Sequence, residues 1–172
     1  MSTEMQSNSI EFEVHQLMLM RNIEDGKQTK LAEFGISLED ADRISQQVHQ
    51  KLKLGTEQFS ALKLLLGAQD VSATTITYSS RFWPQFEFAA ESTNFGTIGP
   101  ARYQRVAGNP PTVSSPTELP LWSVTVDEFS QLFGPLQSVD SWYPNEEYTF
   151  EFAGDKYGVG FGWGLYLGVD RL

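Results

Sequence analysis

A chain of 172 residues with 40% hydrophobic and 20% charged residues has globular composition and is long enough to bury a substantial core. Its 22 acidic against 12 basic side chains leave a net charge of −10, which argues against binding a nucleic-acid backbone, because counterion release needs a basic stripe. Cysteine is absent, so disulfides, thiolate nucleophiles and thiolate metal sites are excluded together.

Residues 1–9 are polar and carry Glu4. They read as a flexible tail ahead of one α+β domain over 10–172, and they lack the basic-then-apolar order of a signal peptide. No apolar run approaches the roughly 18 residues of a membrane span, so the expected compartment is the cytoplasm. Ile10, Phe12 and Val14 then alternate with Glu11, Glu13 and His15. This favours a strand, although Leu17 to Met20 breaks the alternation and suits a helix as well. Glu11, Glu13 and His15 on one strand face are compatible with an oxygen-rich metal site, but a half-buried strand gives the same pattern without a ligand. No metal or cofactor is expected. Glu24, Asp25 and Gly26 form a turn-rich break.

The helical part spans about 37–67. Ser37 can cap the amide of Asp40, acidic residues fill the first turn, and Leu38, Ala41, Ile44, Val48 and Leu52 make an apolar stripe ending before Gly55. Thr56 caps a second helix through Leu66, with Phe59, Leu62, Leu65 and Leu66 facing inward and Gly67 at its end, so a helical hairpin results.

Residues 71–172 turn to β. Thr74–Ser80 and Phe82–Ala89 are the first strands, the second placed at a sheet edge or bulge by Pro84. Residues 92–120 hold five prolines and several glycines; they read as a long connection with a short strand over Ala101–Ala107, and a loop of this length is more often functional or disordered than merely connective. Leu121–Val126 reads as a strand, Thr125 with Glu128 as a capping box for a short helix carrying Phe129, Leu132 and Phe133, and Leu136–Tyr143 as another strand.

Residues 157–169 alternate strictly, with Gly158, Gly160, Gly162, Gly164 and Gly168 sharing one strand face interrupted by Tyr166. A two-residue turn at Gly154–Asp155 pairs this strand with Glu147–Phe152. One face then gathers Tyr148, Phe150, Phe152, Tyr157, Val159, Phe161 and Trp163. The other sets Glu147, Thr149 and Glu151 beside Gly158, Gly160 and Gly162. The fold class is therefore α+β: an N-terminal helical hairpin packed on a mainly antiparallel, curved β-sheet ending in a long C-terminal β-hairpin.

The catalytic inventory is thin. Only His15 and His49 are available, and neither a phosphate-binding loop nor a Gly-x-Ser-x-Gly elbow occurs. Glu147 and Glu151 stand about 13 Å apart along one strand, wide for a glycosidase pair at roughly 5–10 Å. Glu146 or Asp140 could supply a closer partner for a hydrolase only through a fold that the sequence pattern does not specify. The reading favoured is a non-catalytic, acidic protein-interaction module: an adaptor, assembly factor or inhibitor. Its partner is a protein with a basic surface, met by Glu147, Thr149, Glu151, Gly158, Gly160, Gly162 and Tyr166 on the sheet and by Arg102, Tyr103 and Arg105 on the long connection. The alternative is a small-molecule-binding domain whose aromatic-lined cavity draws on Trp83, Trp122, Trp142 and Trp163.

Overall fold

The structure, a computed structural model, describes residues 2–68, 70–139 and 141–172, with side chains from Ser9 onward. Four helices come first: α1 (Ser2–Leu19), α2 (Glu24–Glu33), α3 (Leu38–Lys51) and α4 (Gln58–Leu65). A three-stranded antiparallel sheet follows, β1 (Thr75–Ser79), β2 (Phe86–Ser92) and β3 (Ile98–Arg105), with β2 central. After a single 3-10 turn at Pro116–Glu118 come α5 (Val126–Phe133) and a second antiparallel sheet in sequential order: β4 (Gln137–Ser138), β5 (Asn145–Phe152), β6 (Asp155–Gly162) and β7 (Leu165–Arg171). The α+β class and the packing of N-terminal helices on sheet agree with the sequence.

Helix α1 replaces both the tail and the strand expected there. Its backbone is helical from Ser2, and Phe12 through Leu17 are all buried. Over residues 12–17 the helix is enclosed on every side and has no polar stripe, so this stretch cannot display the 3.6-residue period by which a surface helix is recognised. Its buried polar groups instead find distant partners. The Glu13 carboxylate accepts from the Ser80 hydroxyl and from the amides of Arg81 at 3.0 Å and Phe82 at 3.2 Å. Gln16 Oε1 accepts from Tyr78 at 2.9 Å and from Tyr103. Helix α3 runs alongside, where His15 Nδ1 shares a 2.9 Å hydrogen bond with Ser45 Oγ.

Other boundaries moved for local reasons. Helix α2 starts at Glu24, so Gly26 is helical; a Cβ there would stand 2.4 Å from Leu121 Cδ2, and the glycine serves a close approach rather than a turn. Ser37 caps Asp40 as expected, but α4 is entered from Glu57 with no side-chain cap from Thr56. Pro84 lies in the turn before β2, so it costs that strand no ladder hydrogen bond and the strand can be central. The long connection shortens because β3 takes up residues 98–105 with a bulge against β2. Residues 121–126 contribute only a bridge, Thr125 to Leu165, and the strand expected over Leu136–Tyr143 reduces to β4. Asp140 lies outside the described residues. The Thr125–Glu128 capping box is present in full, and Gly134 at φ 98° ends α5.

Two aromatic cores result. The first joins the helices to β1–β3 around Phe12, Phe82, Trp83, Phe88 and Tyr103; the second lies between α5 and β5–β7 around Phe129, Phe150 and Phe161. The tip of the β6–β7 hairpin connects them. Trp163 inserts into the first core, donating its indole N–H to the Gln16 carbonyl at 3.1 Å, and its own carbonyl accepts from the Tyr103 amide at 2.9 Å.

Burial and the neighbouring His49 lower the His15 imidazole from 6.5 to about 4. Burial also raises the Glu13 carboxyl, against the opposing pull of its hydrogen bonds. The two act on stability with opposite sign. A raised carboxyl contributes fully in acid and loses its contribution as pH rises through the folded value, whereas a lowered imidazole contributes above 6.5 and loses its contribution as pH falls toward 4. Comparing wild type with His15→Gln isolates the imidazole: the difference in unfolding free energy should shift against wild type by about 1.4 kcal/mol per pH unit between pH 6.5 and 4. Urea titrations across that range measure it, and a pH-independent difference would show that His15 is not held neutral.

Candidate functional site

The hairpin that carries the glycine face turns one residue earlier than expected. Its two-residue loop is Ala153–Gly154, both at positive φ (52° and 83°), with Phe152 opposite Asp155. Every cross-strand pair moves by two residues relative to the sequence register, and because the side-chain period is two, the faces of β5 and β6 keep their membership, except that Trp163, expected on the aromatic face, lies past the end of β6 and packs in the first core. Glu147 pairs with Gly160, Thr149 with Gly158 and Glu151 with Lys156. Tyr148, Phe150, Phe152, Tyr157, Val159 and Phe161 make the aromatic side that packs with α5.

The glycine run itself is not one strand. Trp163 and Gly164, at φ 52° and 84°, form a turn that folds β7 back on β6. Across the three strands the rows become Asn145–Gly162–Leu165, Glu147–Gly160–Gly168 and Thr149–Gly158–Asp170. The glycines then serve different ends. A Cβ on Gly162 would lie 2.8 Å from Met20 Cγ and 3.2 Å from Leu167 Cδ1, so that glycine admits the end of α1. Gly158 has Leu172 Cδ2 at 3.6 Å. Above Gly160 and Gly168, which face each other, there is nothing within 4 Å of where a Cβ would be.

An open hollow of about 380 Å³ lies over this floor. Glu147 and Thr149 flank it on β5 and Asp170 on β7, with Leu167 and Leu172 as apolar walls and Arg21 at the end under the α1–α2 corner. Asn145 also lines it, only 7% exposed; its Nδ2 donates to the Leu19 carbonyl at 2.9 Å, and its Oδ1 has no partner. No family model, curated protein or solved structure matches the chain. The site is therefore argued from its geometry alone.

Of the residues singled out from sequence, Glu147, Thr149, Gly158 and Gly160 meet at the hollow, Gly162 lies under Met20, and Glu151 sits beyond the hollow opposite Lys156. Tyr166 is on the other side of the sheet: it is buried, stacked on Phe129 at 5.7 Å, and burial raises its hydroxyl to about 12. The Arg102–Tyr103–Arg105 group lies on β3, where the short strand was expected, but its side chains are engaged within the chain. Tyr103 is buried in the first core, Arg102 pairs with Glu146, and Arg105 donates to Glu128 at 2.7 Å and to the Ser123 carbonyl at 2.7 Å. These are contacts that fasten the two sheets together. Sequence reading missed the roles of Asp170, Gly168, Arg21 and Asn145. The signal for the first two was Tyr166 itself, because a lone aromatic interrupting the glycine row marks the place where the alternation slips at the β6–β7 bulge.

Trp83 and Trp163 are core residues, Trp122 is half-buried against Trp83 at 5.4 Å, and Trp142 is 75% exposed. Trp142 lines a shallow depression with Met18 and Tyr143.

The glycines separate by experiment. Gly160→Ala adds a methyl to open space and removes backbone freedom from the unfolded chain, so it should raise stability by about 0.5–1 kcal/mol. Gly162→Ala crowds Met20 in the core and should lower stability by about 1–3 kcal/mol. Chemical denaturation of the two variants reads the contrast, and equal effects would show that the two positions are equivalent.

Proposed function

We propose that the protein is a non-catalytic interaction module that docks a protein partner with a basic surface on the outer glycine face of its second sheet. The observation that carries this reading is the pair Gly160 and Gly168: two facing strand glycines that no turn, positive φ or internal packing requires, left uncovered between carboxylates. The aromatic side of the same sheet is closed by α5, so the glycine side is the one available to a partner.

Two further features support docking. Trp142 and the 39%-exposed Val139 lie beside the hollow, with Asn145 shared between it and the neighbouring depression that Trp142 lines. An exposed tryptophan next to a concave polar site is the composition of a binding hot spot with a polar surround. Among the described residues, His15 and His49 meet at the α1–α3 contact, with ring centroids 6.4 Å apart, and neither lines the hollow. No helix among them is long and apolar enough to cross a membrane.

The test is comparative affinity purification from the cells that make the protein. Wild type should retain a partner stoichiometrically, Gly160→Val and Glu147→Lys should lose it with their thermal transitions intact, and raised salt should weaken retention by screening. A partner retained equally by all three proteins would overturn the placement on this face.

A further inference from the structure

We infer that the hollow is an arginine-recognition site: the group it takes is a guanidinium presented by an extended segment of the partner. This rests on the docking reading above and specifies the chemistry of its occupant. Three independent features of the surface point to it. First, the side chains on the open floor rows are acceptors, Glu147 and Thr149 on β5 and Asp170 on β7, with no basic group in either row. Strands in a sheet stand about 4.8 Å apart, so the two flanking strands are about 10 Å from one another across β6, leaving a carboxylate on either side of a central strip. Second, that strip is bare peptide. Gly160 opposite Gly168 presents flat amide planes with empty space above them. A planar, weakly hydrated guanidinium can lie on such a surface and reach acceptors at its edges with a fixed fork of donors, whereas an ammonium is a compact and strongly hydrated point charge. Third, Asn145, over nine-tenths buried, lines the hollow with Oδ1 unpaired while Nδ2 is committed to the Leu19 carbonyl. A buried amide oxygen without a donor is a group that an incoming N–H would satisfy.

Among the described residues Arg21 is the one cation lining the hollow, and it stands at the end of the floor rather than in its rows. It gives the inference a signed consequence. If the occupant is a cation, removing Arg21 removes a like charge and tightens binding; if the occupant is an anion, the same change loosens it.

The test titrates 15N-labelled protein with acetyl-Gly-Arg-Gly-amide and, separately, with the lysine and aspartate analogues, following the amide resonances of Gly158, Gly160 and Gly168. The arginine peptide should move these resonances saturably, and the lysine peptide should need several-fold higher concentration for the same shift. Glu147→Gln should weaken the arginine peptide about two- to fivefold and Arg21→Gln should tighten it by a similar factor, the range of a partly exposed ion pair. Both substitutions are at exposed positions, and an unchanged spectrum elsewhere verifies the fold. Glycine resonances that stay still, that respond equally to arginine and lysine, or that respond best to aspartate would each overturn the inference. Failure here is distinguishable from failure of the docking reading. A partner lost on Gly160→Val with no response to the arginine peptide leaves docking standing without this chemistry. A response to the peptide with a partner indifferent to Gly160→Val does the reverse.

Discussion

The Glu13 carboxylate, fully buried and surrounded by the Ser80 hydroxyl and the amides of Arg81 and Phe82, fixes the position of α1 against the first sheet. A buried carboxyl is costly to desolvate and is tolerated only where donors converge on it. The turn after β1 supplies those donors in one arrangement, because a shift of α1 along its axis would strand the charge and three donors together. One helical turn on, Gln16 collects the hydroxyls of Tyr78 and Tyr103, and its main-chain carbonyl takes the Trp163 indole. One further turn on, Met20 settles over Gly162. A single line along α1 thus sets the registry of the first sheet and receives the hairpin of the second.

That line also explains why the glycine face is partly covered and partly bare. The β6–β7 tip has to reach α1 for Trp163 to fill the first core, which brings the near end of β6 under Met20 and demands glycine at 162. The turn itself demands the left-handed backbone of Gly164, against which the Arg102 side chain packs. Two rows further from the helix neither demand applies. The glycine pattern continues past the reach of the packing that accounts for its first members, and the hollow begins where that packing stops.

What could be read from sequence divides along the same physical boundary between local and distant causes. Ser37 capping α3, the Thr125–Glu128 box, and the division of β5 and β6 into an aromatic and a glycine face are set by residues a few positions apart, and they were legible. The face assignment survived even a misplaced turn, because a two-residue slip preserves parity. Helix α1 was not legible: its buried Glu13 and Gln16 are satisfied by groups more than 60 positions away, and enclosure of residues 12–17 erased the periodicity that marks a helix. The strand holding Tyr103 was legible, but its core location was not, because the flanking Arg102 and Arg105 look like free surface cations and are instead paired to acids on other elements. Half of the candidate site was visible for the same reason. Glu147, Thr149, Gly158 and Gly160 follow from one hairpin, whereas Gly168 and Asp170 arrive only once the Trp163–Gly164 turn is known.

A strand glycine costs about 0.5–1 kcal/mol against alanine, and at Gly160 and Gly168 the structure returns nothing internal for that cost. The aromatic contacts on the reverse side, Phe129 against Phe150, Phe161 and Tyr166 with ring centroids 5.1–5.7 Å apart, give the sheet enough packing to carry them. The same packing backs the floor from behind. Three strands pinned from behind by α5 and in front by Met20 present their peptide planes and carboxylates without a loop to order on binding, so an occupant need not pay for arranging its own site. An uncovered glycine pair on an acid-flanked sheet leaves a flat strip of peptide within reach of carboxylates, and an alanine at either position would raise the floor into the open space above it.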